Sequence, residues 1–207
     1  MLDSVTEGRN SPPPASIPQG PPDLLLIERA RLADTRAIEA LTRRYAQRLF
    51  RIARSMLGEE HSAEELVAES CVAAFEELKR HEPAGKFAPW LARLTLEHAR
   101  SRRDAAYGAA RPATPAPPPL ERAIDALPEV FRTVFVLRVL EGISGPETAL
   151  TLGLNVTTVR TRLFRAHRRL AAGAIFNSGA QRAFELEPAR LERLVAAVLS
   201  RSRERSA

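Results

Sequence analysis

The chain carries one cysteine, Cys71, so no intrachain disulfide can form. Its four histidines, His61, His81, His98 and His167, are scattered without metal-ligand spacing. No metal, cofactor or catalytic nucleophile is therefore expected. Lysine is confined to Lys79 and Lys86, and aromatic residues make up only 5% of the 207 residues, too few for a strand-rich architecture. No segment approaches the roughly 20 apolar residues of a membrane span. Met1 to Asn10 is polar and acidic rather than a basic stretch followed by an apolar run, so no secretory signal is expected and the cytoplasm is the expected location.

What the chain does have is arginine. The formal net charge is +6, carried almost entirely by guanidinium groups, which bind phosphate and guanine in two-point fashion. A polyanion is a natural partner. An arginine-rich composition can also arise without function, so the placement of these residues along the chain has to decide.

Residues 11 to 22 and 104 to 119 are rich in proline, alanine and glycine and lack helical periodicity. They predict a disordered tail over 1–22 and a flexible linker over 104–119. Two blocks, 23–103 and 120–172, remain, followed by an extension over 173–207. The expected fold is all-α, with two small helical domains joined by the linker.

In the first block Leu24 to Ile27 suggest a short helix. Asp34 can cap a longer one with apolar residues from Ile38 to Met56 spaced by three or four, and Gly58 stands just beyond it. Ser62 and Glu65 have capping-box spacing ahead of a helix that puts Val67, Cys71, Ala74 and Leu78 on one stripe, which makes Cys71 a core residue. Pro89 suits the first turn of a last helix that is apolar at its start and basic at its end, Arg100 to Arg103. Basic residues there also complement the helix dipole in any protein.

The second block holds the sharpest signal. Ser144 and Glu147 form a capping box, Ala149 and Leu152 face inward, Gly153 turns the chain and Asn155 caps a second helix, as in a helix-turn-helix. Along that second helix Val159, Leu163, Ala166 and Leu170 form the seat. The opposite face then displays Thr158, Arg160, Thr161, Arg162, Phe164, Arg165 and Arg168, suited to phosphates and base edges in a major groove. An αα-hairpin with a solvated face is the plainer reading. The concentration of arginine opposite the apolar seat favours DNA.

Together the strings LADTRAIEALTRRYAQRLFRIARSMLG, SAEELVAESCVAAFEEL, KFAPWLARL, LPEVFRTVFVLRVLEGIS and NVTTVRTRLFRAHRRL resemble the sigma-70 family, specifically the extracytoplasmic function sigma factors that keep regions 2 and 4. The resemblance covers residues 23 to 172. It implies core RNA polymerase and promoter DNA as partners, with an anti-sigma factor as a further one. It makes Glu64, Glu65, Leu66 and Glu69 polymerase contacts. It assigns Trp90, Arg93, Glu97, Arg100, Arg102 and Arg103 to minus-10 melting and the arginine face to the minus-35 element. No catalysis by the chain itself is implied.

The chain departs from the family pattern at Ala68, where glutamine is usual, at Glu97, often asparagine, and at Pro146 and Thr148, often acidic and aliphatic. The resemblance implies that the helix-turn-helix survives the last two. In the extension, Leu191, Leu194, Val195, Val198 and Leu199 predict an amphipathic helix from about Pro188. The plainer expectation is that it extends the second block's core. The resemblance adds docking on the sigma domains and an effect on inhibition. Two other functions fit the residues: a helix-turn-helix regulator that never joins polymerase, and a sigma-like interaction protein that does not start transcription.

Overall fold

The structure, a computed structural model, describes residues 21–81, 86–105, 118–171 and 182–205. The described residues contain helices and no strand. Most of the tail and linker expectations, and Pro83, Gly85 and Phe176, fall outside the described residues. At the tail's edge, the Pro21 carbonyl accepts a hydrogen bond from Arg44 at 2.9 Å.

The first block comprises α1 (Asp23–Arg31), α2 (Thr35–Leu57), α3 (Glu60–Arg80) and α4 (Phe87–Ala105). Asp34 caps α2, its Oδ1 accepting from the Arg36 and Ala37 amides at 2.9 and 3.3 Å. Gly58 ends α2 at φ 73°, a left-handed conformation that favours a residue without a Cβ. The opening of α3 differs from expectation. Glu59, not Ser62, is the cap, and its carboxylate accepts from the His61 and Ser62 amides at 2.7 and 2.5 Å. A carboxylate with two acceptor oxygens satisfies the first-turn donors three residues earlier than a Ser62 capping box would. Leu41, Leu49, Phe50 and Ile52 of α2 interlock with Leu66, Phe75 and Leu78 of α3 and with Leu91 and Leu96 of α4.

The second block comprises α5 (Pro119–Asp125), α6 (Glu129–Phe135), α7 (Gly145–Leu152) and α8 (Val156–Ala171). Between α6 and α7 the helix widens into a π turn over Val136–Leu140, where the Glu141 amide reaches back five residues to the Val136 carbonyl at 3.0 Å. This turn lies where the chain is apolar without interruption from Val134 to Leu137. It serves two cores at once: Leu140 packs with Ile124, Phe135, Ala166 and Leu170, while Leu137 joins the core of the first block.

The two blocks therefore touch. Three arginines of α2 cross the seam. Arg51 donates to Glu141 at 2.7 Å and to the carbonyls of Leu140 and Ala183 at 3.2 and 3.0 Å. Arg48 reaches the other Glu141 oxygen at 3.3 Å, and Arg54 meets both oxygens of Asp125 at 3.3 and 3.2 Å while lying over the Phe184 ring.

Beneath the helix-turn-helix, Val134, Ala149 and Val159 form a small core of their own. Pro146 sits in the first turn of α7, where no amide donor is missed. Thr148 is fully buried and its hydroxyl has no hydrogen-bond partner. A buried hydroxyl without a partner costs about 1–3 kcal/mol. Thr148→Val, nearly the same shape, is thus expected to raise the melting temperature by a few degrees in a thermal unfolding scan. A lower melting temperature would show that the hydroxyl is satisfied.

The extension forms α9 (Pro188–Glu204), but not where the plainer expectation puts it. Ala183 and Phe184 do enter the second core, whereas Leu186, Leu194 and Val198 pack into the first, against α2 and α3. The reason lies in charge as well as apolar surface: Arg190 faces Glu60 and Glu64 of α3, and Glu192 faces Arg43 of α2.

Candidate nucleic-acid interface

On α8 the geometry follows directly from the alternation of residue types. The Asn155 side chain accepts from the Thr158 amide at 2.7 Å and starts the helix. Gly153 makes the preceding turn at φ 65° with open space around its Cβ position, so backbone conformation rather than crowding selects glycine. Val159, Ala166 and Leu170 are buried and Leu163 half-buried. Opposite them Arg160, Thr161, Arg165 and Arg168 are exposed, Thr158 and Arg162 are half-buried, and Phe164 is 61% exposed. The open Phe164 ring stands among the arginines of this face, where it is available to a base or sugar. The Thr161 hydroxyl donates to the Thr157 carbonyl at 3.0 Å.

One member of this surface escapes the sequence pattern. Arg169 joins Arg165 and Arg168 around a cleft floored by Ala123, Ala126, Leu127 and Phe131, with its guanidinium 5.5 Å from the Phe131 ring centroid. Its position four residues after Arg165 is the signal that could have found it. Arg168 and Arg169 over this apolar floor suit a phosphate of the backbone flanking the groove.

The basic end of α4 is less open than its sequence suggests. Glu97 and Arg100 are exposed. Arg93 donates to the Leu150 carbonyl of α7. Arg102 binds Glu69 at 2.6 Å and approaches Glu65 at 3.7 Å, and Arg103 pairs with Asp104 and with Glu129 of α6. Trp90 is half-buried against Phe87, centroids 5.6 Å apart, and Phe87 meets Tyr45 edge-on. In this arrangement four of the six α4 residues, Trp90, Arg93, Arg102 and Arg103, are held by contacts within the chain.

The acidic face of α3 divides in two. Glu65 and Glu69 point outward beside Arg102, while Glu64 turns toward α9 and is only 11% exposed. Leu66 does not belong to this surface. It is fully buried in the first core, because α3 packs on both α2 and α4 and the side chain falls on the shared inner face. Cys71 is likewise buried, and desolvation pushes its thiol up to about 12, which keeps it protonated and inert.

These features can be set beside known proteins. A family model described as Sigma-70 region 2 matches residues 41–105, and one described as Sigma-70, region 4 matches residues 119–170. The ECF RNA polymerase sigma factor SigE of Mycolicibacterium smegmatis is 33% identical over 153 residues, covering 64% of this chain and 59% of that protein. The RNA polymerase sigma factor CnrH of Cupriavidus metallidurans is 29% identical over 177 residues, 72% of this chain and 93% of the relative. A solved structure of CnrH in complex with the cytosolic domain of CnrY aligns with a TM-score of 0.59 at 29% identity, covering 75% of this chain and 99% of that one. With both regions present, in the order of its extracytoplasmic function members, the chain belongs to the sigma-70 family.

Proposed function

We propose that this chain docks on core RNA polymerase through the acidic face of α3 and directs it to promoters, with α8 reading a minus-35 element and α4 helping to open the minus-10 element. The observation that carries this reading is the pairing, in one chain, of a helix-turn-helix whose second helix exposes arginine opposite its seat with an acidic helix bearing Glu65 and Glu69 outward. A regulator that binds DNA alone has no use for the second feature. Arginines on phosphates and on guanine edges supply affinity and sequence preference. Two modest contacts tethered in one chain act together at fixed promoter spacing.

The polymerase supplies the chemistry, so the chain itself needs no catalytic group, and its place of action is the cytoplasm. Among the described residues no helix is long and apolar enough to cross a membrane. The CnrH structure, which holds the cytosolic domain of a second protein, supports a protein partner for this chain as well, and we take that partner to be of the anti-sigma kind.

Mixing the purified chain with bacterial core polymerase and mapping transcripts from genomic fragments tests the reading. New start sites sharing an upstream motif are the expected result. Specific DNA binding by the chain alone, with no association with core enzyme, would make it a separate helix-turn-helix regulator. Association with core enzyme without new starts would make it a sequestering protein.

A further inference from the structure

The side of the acidic α3 face that carries Glu60 and Glu64 is already occupied by part of the same chain. Glu60, Glu64, Ala68 and Val72 recur every four residues and so share one line along the helix. Over the start of that line stands Arg190 of α9, 2.6 Å from both Glu60 and Glu64, with Arg193 3.3 Å from Glu64. Toward its other end, Arg201, Glu204 and Arg205 share a cleft with Glu69 and Val72. Helix α9 therefore runs parallel to α3 along the stripe. Ala68, on the line between Glu64 and Val72, is buried, and its single methyl group is small enough for a neighbouring helix to approach closely. The other flank is fixed by Arg43 of α2, whose two nitrogens hold both oxygens of Glu192 at 2.6 and 2.8 Å. Between the two flanks Leu194 and Val198 are the buried anchors.

The attachment is of a kind that can be undone. Arg193 and Glu192 are each about 60% exposed, so water competes for both groups, and only the two-point geometry of Arg43 with Glu192 sets that pair above an ordinary surface contact. Only one face of α9 is apolar, and Leu191, Ala197 and Leu199 pack incompletely. A helix joined to α8 by a short segment nonetheless competes at high effective concentration with any partner in solution.

We propose that α9 is an intramolecular competitor for polymerase: it covers the part of the α3 face that contains Glu64, and core polymerase docks fully only when α9 has left the α2–α3 groove. This rests on the reading of α3 as the docking face. The apparent affinity for polymerase is then reduced by the fraction of molecules in which α9 is released. Weakening α9 raises the affinity without altering any polymerase contact.

The test uses full-length chains with Val198→Asp, which removes an anchor, with Glu192→Arg, which opposes Arg43, and with the exchanged pair Arg43→Glu/Glu192→Arg. Affinity for core polymerase is measured by anisotropy of a fluorophore on the chain, and exposure of α9 by amide hydrogen exchange in the free and bound states. Val198→Asp and Glu192→Arg are expected to bind about tenfold tighter or more, and the exchanged pair to return to the parent value. The α9 amides should lose protection in the complex. Should Val198→Asp fail to fold, Glu192→Arg and its exchanged partner carry the comparison on a surface position. Binding no tighter in Glu192→Arg than in the parent, or α9 amides that stay protected on polymerase, would overturn the inference while leaving the docking reading intact. If parent and variants all bind promoter DNA but none binds core polymerase, the docking reading falls and takes this inference with it.

Discussion

A chain with Glu141→Ala is expected to melt roughly 10 °C below the parent, because removing one member of a buried ion pair costs about 3–5 kcal/mol. Glu141 and Arg51 are 8% and 9% exposed, so neither charge can recover its lost partner from water. After the substitution Arg51 loses its carboxylate partner while its bonds to the Leu140 and Ala183 carbonyls remain, and Arg48 loses the same carboxylate. The loss falls on the seam between the blocks, so hydrogen exchange should rise first around the π turn and the middle of α2. The double variant Arg51→Met/Glu141→Leu should recover most of the stability, since apolar side chains of similar size avoid the cost of burying two charges. A melting temperature within about a degree of the parent for Glu141→Ala would mean that the seam contributes little to stability.

The second large effect concerns α8. Replacing Arg160 and Arg165 together with alanine is expected to weaken binding to a minus-35 duplex by about 100-fold, at 1–3 kcal/mol for each good contact to a base edge. Both side chains are exposed and neither is part of the seat formed by Val159, Ala166 and Leu170, so the fold should persist unchanged by circular dichroism. Affinity for core polymerase should be unaffected. Arg169→Ala, by contrast, should weaken binding to all sequences alike and lessen its dependence on salt, as befits a phosphate contact beside Phe131. Equal binding of parent and Arg160→Ala/Arg165→Ala to every duplex would move the reading surface elsewhere.

Much of this architecture can be seen in the sequence because it is local. The Asp34 and Asn155 caps, the Gly58 and Gly153 turns and the Val159 to Leu170 seat depend on residues within a few positions of each other, and the structure has them where spacing predicts. Glu59 is the local exception: capping by glutamate is uncommon enough that the Ser62 pattern appears stronger on paper. The π turn leaves no signature because the apolar run around it has no periodicity to break. What periodicity cannot supply is partnership between distant segments. An amphipathic stretch from Leu191 to Leu199 announces that a surface must cover it, but only the arrangement of Arg43, Glu60 and Glu64 selects α2 and α3 over the second core. For the same reason Leu66 reads as a candidate contact from its place in a motif and proves to be core. Arg93, Arg102 and Arg103 read as candidate minus-10 contacts and are engaged within the chain in this structure.

Those engaged arginines make the charge that a polyanion meets a property of conformation rather than composition. While Arg93 caps α7 and Arg103 is matched to Glu129, fewer counterions can be released when DNA binds than the sequence total suggests. Separation of the blocks would free Arg93 and release Arg103 from Glu129, leaving it only its neighbour Asp104 among the ion pairs described, so DNA binding and opening would be thermodynamically linked: whatever stabilised an open form would strengthen DNA binding, and DNA would in turn favour opening. The slope of log affinity against log salt should then steepen once the seam is broken, which turns an ordinary salt titration into a gauge of how often the molecule opens by itself.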